Sequence, residues 1–215
     1  MWRASRPAVS APVALCLART TLRWGWALAL ALLLWCVPQT TLWATPRPQA
    51  DAPTTVYVLT FAGPVTPVLE SYLQRAIAQA ADSSDPSHAV IILQLDTPGG
   101  SVEVTQSIIQ TMLASPVPLV VYVAPAGARA GSAGTFITLA GHIAVMAPNT
   151  SIGAASPVEL GGGDVDATLA AKIKNILSAD IENLATRRGE AASEEAIAAV
   201  QDAAAATATQ ARDLG

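Results

Sequence analysis

The chain has 215 residues, 52% of them hydrophobic and 13% charged, with a formal net charge of −4. So many apolar and so few charged side chains exclude an intrinsically disordered polymer, and the acidic balance argues against a nucleic-acid partner. The charge is also divided: residues 1–50 hold five arginines and no acid, whereas residues 51–215 hold seven basic and sixteen acidic residues, a net −9.

From Trp24 to Val37 the sequence reads WGWALALALLLWCV, directly after Arg19 and Arg23. This run is shorter than the roughly 20 residues that span a bilayer. A basic start, an apolar run of this length ended by Pro38, and a small residue at Ala44 predict a secretory signal peptide over residues 1–44. An uncleaved N-terminal membrane anchor is the alternative. Either one puts the rest of the chain outside the cytoplasm, periplasmic or on the extracytoplasmic side of the cell membrane. Both cysteines, Cys16 and Cys36, lie in this segment, so the domain that follows is expected to stand without a disulfide or a thiolate site. Residues 45–54 (TPRPQADAPT) carry three prolines and no hydrophobic period, and read as a linker.

The body, residues 55–215, alternates strand and helix patterns. Thr55–Ala62 is a short β-rich run, and residues 67–81 carry Leu69, Tyr72, Leu73, Ala76, Ile77 and Ala80 at helical spacing. Ala89–Leu95 (AVIILQL) is a continuous apolar run, the pattern of a strand covered on both faces. Residues 102–114 return to helical spacing, and Leu119–Val123 reads as another buried strand. A small-residue loop (APAGARAGSAG), an apolar helix to about Ala140 and a strand at His142–Ala147 follow. The rhythm predicts an α/β fold with a parallel sheet. Beyond it, residues 158–166 read as a Gly/Asp linker, Ala167 to Arg188 as a helix, and the remainder as an Ala/Glu-rich helical tail. The sequence closes on ARDLG, a helix C-terminal signal, and the domain is expected to be truncated there.

In parallel sheets, sites gather at the carboxyl ends of strands, and two loops there stand out. Asp96-Thr97-Pro98-Gly99-Gly100-Ser101 follows AVIILQL and opens a helix, where backbone N–H groups can approach an anion closely. Its plainer reading is a tight turn. Gly131-Ser132-Ala133-Gly134 opens the next helix, with the Ser132 hydroxyl between small neighbours and the Ala133 amide directed where an oxyanion would form. Its plainer reading is a serine helix cap.

A nucleophilic serine needs a base. His142 lies ten residues along the same helix, about 15 Å away at 1.5 Å per residue, and His88 precedes a strand at the opposite end. Lysines remain: Lys172 and Lys174 are the only two in the chain. They flank the predicted stripe of Leu169, Ile173, Ile176, Leu177 and Leu184 at about 100° on either side of Ile173, so periodicity does not choose between them. Asp180 falls near this stripe and reads as an oligomer contact.

The stretch AVIILQLDTPGGSV, followed by PLVVYVAPAGARAGSAGTFITLAGHIAVMAPNTSIGAASPV, resembles the membrane-bound NfeD-type serine proteases, relatives of Clp protease and signal peptide peptidase A. The resemblance spans about Val56 to Gly215. It implies a Clp/crotonase-like spiral of repeated ββα units with a mostly parallel sheet, assembled as a homo-oligomer. It further implies a Ser-Lys dyad in which Ser132 is the nucleophile and Lys172, the first lysine of KIKNILSADIENLA, the base. Backbone amides of Gly99 or Gly100 and of Ala133 match the oxyanion hole. The implied substrates are hydrophobic peptide segments such as those of stomatin-like membrane proteins, and no metal or organic cofactor is implied. Two rivals remain: a non-catalytic scaffold binding stomatin-like partners, and a crotonase-type acyl-CoA enzyme using the same amides.

Overall fold

The computed structural model describes residues 54–83, 88–157 and 167–215. The expected signal segment, almost all of the linker at 45–54 and the Gly/Asp stretch at 158–166 lie outside the described residues. Four parallel strands, β1 (Thr55–Ala62), β2 (Ala89–Asp96), β3 (Leu119–Val123) and β5 (Ile143–Met146), form one sheet in the order β1-β2-β3-β5. Helices α1 (Pro67–Ala81), α2 (Val102–Leu113) and α3 (Ala133–Ala140) connect them. Pro67 suits the first turn of α1, where a missing N–H is no loss. Ser101 starts α2 by accepting the Val104 N–H at 3.3 Å.

The core lies between this sheet and the three helices. Ile91, Leu93, Leu95, Leu119 and Val121 point from the strands against Leu69, Leu73, Ile108, Met112 and Ile137 from the helices, all of them at 0% exposure. Burying a side chain of this size contributes about 1.5–3 kcal/mol. The continuous apolar run of β2 is fully covered on one face and half-buried on the other, so the expectation of two covered faces is met in part. Its residues alternate buried and half-buried. The less covered positions line up across the sheet, Val58 with Ile92, Ile92 with Val120 and Val120 with Ile143. Val58 and Ile143 are 61% and 55% exposed. The side chains of α1, α2 and α3 join one cluster on the opposite face, so the apolar run there reflects strand propensity rather than burial.

A second, smaller sheet was not visible in the sequence. Strands β4 (Arg129–Gly131) and β6 (Ser151–Gly153) pair in parallel, and β7 (Ala205–Thr207) pairs antiparallel with β6. Each is three residues of mostly small side chains, too short for a period of two to show. With these strands the ββα order appears twice, as β3-β4-α3 and as β5-β6 followed by α4 (Ala167–Ala185). The expected helix to Arg188 ends at Ala185 and tightens into a 3-10 turn at Thr186–Arg188. The expected helical tail is interrupted: α5 (Glu190–Gln201) stops, Ala203 takes φ 55°, β7 forms, and only then does α6 (Ala208–Leu214) begin. Alanine favours helix, and the pairing of β7 with β6 overrides it.

The C-terminal helices build a second cluster from Phe136, Leu139, Leu177, Ile181, Ala185, Ala199 and Val200. The predicted stripe on α4 is therefore buried only in its later turns. Leu169, Ile173 and Ile176 are 50%, 37% and 57% exposed. Among the described residues, no helix is long and apolar enough to cross a membrane.

Candidate active site

Strand β4 runs directly into Ser132, and α3 begins at the next residue. Ser132 holds φ 47° and ψ −112°, a conformation that residues with a side chain adopt at a cost of about 1–3 kcal/mol. A strained serine between a strand and a helix is the geometry that lifts a nucleophilic hydroxyl clear of the backbone. The side chain makes no cap hydrogen bond to the helix, so the plainer reading of Ser132 as a helix cap does not hold. The turn is fixed from behind. The Ser132 N–H donates to the Gly153 carbonyl at 2.9 Å. The buried Thr135 hydroxyl accepts the Gly153 N–H at 3.0 Å and lies 3.0 Å from the Ala130 carbonyl. Small residues flank the serine because the chain is crowded: a Cβ on Gly134 would come 2.6 Å from Thr97 Cγ2.

The Asp96–Gly100 loop is strapped along the same strand. Asp96 Oδ1 accepts the Arg129 N–H at 3.0 Å, the Thr97 N–H donates to the Arg129 carbonyl at 2.8 Å, and the Gly131 N–H donates to the Thr97 carbonyl at 2.9 Å. Gly99 takes φ +121° and packs so closely that an added Cβ would sit 2.7 Å from Ser132 Cβ. Its N–H donates to Thr97 Oγ1 at 3.1 Å. Gly100 lies at the mouth of the cleft, and its own approach to Val65 leaves no room for a side chain. The two glycine-bearing loops, far apart in sequence, thus meet at Ser132.

The cleft beside them is small, about 40 Å³, and is lined by Gly100, Val102, Ile109, Ser132, Ala133, Phe136, Leu177 and Asp180 among others. A cleft of that volume encloses nothing by itself and suits a ligand laid along the surface. Helix α4 reaches it through Leu177 and Asp180, not through its lysines. Lys172 is exposed, Lys174 is half-buried, and neither lines the cleft. Lys172 precedes Leu177 by five residues, about 7.5 Å along the helix axis. The structure therefore brings Ser132, Ala133, Gly99 and Gly100 together and leaves both lysines outside. Asp180 stands in the cleft wall, and nothing in the local sequence signals this, because its neighbour Gln106 lies 74 residues away. His142 is occupied elsewhere: its Nδ1 accepts the Leu119 N–H at 3.1 Å, at the amino-terminal end of β3 and β5.

A larger cavity of about 540 Å³ lies between α3, α5 and α6, lined by several alanines with Leu139, Val145 and Met146 among others. It contains none of the residues that the sequence singles out, so its size does not make it the reactive centre. Arg187 and Arg188 close one side by donating to the Leu139 and Gly141 carbonyls at the end of α3. Burial, and then the neighbouring Arg187 charge, hold the Arg188 guanidinium below its ordinary pKa. Among the described residues, no group of three or more His, Cys, Asp or Glu is placed to hold a metal ion.

A family model described as NfeD1b, N-terminal domain, matches residues 55–213. The membrane-bound protease PH1510 of Pyrococcus horikoshii is 40% identical over 136 residues, which cover 62% of this chain and 30% of that protein. The chain spans about 30% of the length of the curated relatives it matches, the second being the membrane protein NfeD1b of Bacillus subtilis. Two solved structures of the 1510-N membrane-bound stomatin-specific protease are each 34% identical. A serine-to-alanine variant aligns with TM-score 0.67 over 76% of this chain and 78% of that one. A lysine-to-alanine variant in complex with a substrate peptide aligns with TM-score 0.66 over 76% and 74%.

Proposed function

Because the chain belongs to the NfeD1b N-terminal domain family, we propose that residues 55–215 form a serine endopeptidase domain that cleaves apolar peptide segments, including those of stomatin-like membrane proteins. The observation that carries this is Ser132: a hydroxyl on a strained strand-to-helix turn, free of any cap bond, with a glycine loop strapped beside it. The related protease was solved both as a serine variant and as a lysine variant with a substrate peptide, which supports the Ser-Lys assignment.

In the proposed mechanism, Ser132 Oγ attacks the scissile carbonyl while the neutral amine of Lys172 takes its proton. The amides of Ala133 and Gly100 stabilise the oxyanion, since the Gly99 N–H already donates to Thr97 Oγ1. The lysine returns the proton to the departing amine, and water hydrolyses the acyl-enzyme by the same relay. Lys172 is exposed in the unliganded chain, so its amine is delivered by movement of the first turns of α4 or by a neighbouring subunit of a homo-oligomer. Leu169, Ile173 and Ile176, each about half exposed there, gain roughly 0.5–1.5 kcal/mol apiece on full burial, and an apolar substrate supplies the surface. The N-terminal 44 residues serve export, and the domain acts on the outer side of the membrane.

The test is cleavage of a hydrophobic peptide library by the wild type and by Ser132→Ala, Lys172→Ala and Lys174→Ala. Activity lost in the first two variants and kept in the third is the expected outcome; equal cleavage by Ser132→Ala removes the assignment. A lysine base must be uncharged, so the rate rises with pH, and a rate that falls between pH 7 and 9 with the fold intact counts against it. The exposure of Lys172 favours one other reading, a scaffold that binds stomatin-like partners without cleaving them. Binding of an apolar peptide with no turnover in any condition selects that reading.

A further inference from the structure

Asp180 is the one ionisable side chain lining the Ser132 cleft among the described residues; its neighbours there include Val102, Ile109, Phe136 and Leu177. It is half-buried on α4. Among the described residues it accepts from Gln106 Nε2, a long contact of 3.5 Å to Oδ2, and the described ion pairs do not include it. Most of the acceptor capacity of this carboxylate is therefore unused and borders the cleft. A carboxylate that is the one charge on a cleft attracts a cation and repels an anion, the more strongly the more water a bound segment excludes.

We propose that Asp180 sets the charge specificity of this cleft: the bound segment is apolar except for one basic side chain that pairs with the carboxylate, and an acidic side chain at that place is rejected. This rests on the reading of the cleft as a peptide-binding site. It adds what the apolar lining alone does not supply, a choice of register along an otherwise uniform hydrophobic segment.

The experiment uses the full chain and apolar decapeptides that carry a single Lys, Gln or Glu at each position in turn. Affinity is measured by fluorescence anisotropy on the Ser132→Ala background, so that the result does not depend on turnover. At one peptide position, Lys is expected to bind on the order of tenfold more tightly than Glu. Asp180→Asn collapses that ratio towards one, and Asp180→Lys inverts it. A Lys-to-Glu ratio unchanged across the three proteins overturns the proposal, even if the peptides bind and the wild type cleaves them. Loss of all peptide binding, with unchanged circular dichroism, overturns it together with the peptide-cleft reading.

Discussion

Ser132 combines a reactive candidate with a backbone that a serine does not prefer, and the two can be separated by substitution. Ser132→Gly supplies a residue at ease with φ 47° and is expected to stabilise the domain by about 1 kcal/mol, or about 2–4 °C in Tm. Ser132→Ala keeps the strain and gains nothing, and both lose cleavage. Thermal unfolding followed by circular dichroism reads the difference; equal Tm values for the two variants would show that the turn stores no strain. Thr135 is the other residue on which the turn depends, because its hydroxyl accepts the Gly153 N–H whose own carbonyl receives the Ser132 N–H. Thr135→Val keeps the volume and orphans that N–H, and the expected loss is about 1–3 kcal/mol. Sequence alone pointed to Ser132 through its small neighbours, but gave no sign of Thr135, whose partners are brought to it by β4 and β6.

Helix α4 shows how far a period can be read. The spacing of Leu169, Ile173, Ile176, Leu177 and Leu184 marks one apolar stripe, and the structure buries its later turns beneath α5 while leaving the earlier ones uncovered. Two substitutions on the same helix should therefore behave oppositely. Ile181→Ala, at a fully buried position, is expected to destabilise by about 2–5 kcal/mol. Ile176→Gln, 57% exposed, is expected to change stability by no more than about 0.5 kcal/mol, while raising KM for an apolar peptide if these turns close over substrate. A chemical denaturation series resolves the first pair of values, and a large stability loss in Ile176→Gln would mean that the outer stripe is already packed. The long elements α1, α2, β1, β2 and β3 were legible because each repeats its period several times. The three-residue strands β4, β6 and β7 repeat nothing and were not.

At the scale of the molecule, the prolines of residues 45–54 and the change of charge mark a boundary in the sequence. Removal of residues 1–49 should leave a domain that unfolds in one cooperative transition; failure of that fragment to fold would assign the N-terminal segment a structural part. The α/β class, the order of the main elements, the two glycine loops and the family were all readable before folding, because periodicity, turn residues and short motifs are local properties of a chain. The folded chain alone reveals that one sheet face is only partly covered, that Gly99 presses against Ser132, that Asp180 stands in the cleft wall, and that Lys172 is exposed. Each of these depends on how segments distant in sequence meet, or fail to meet, in space, and contact over such separations leaves no period or motif for a sequence to display.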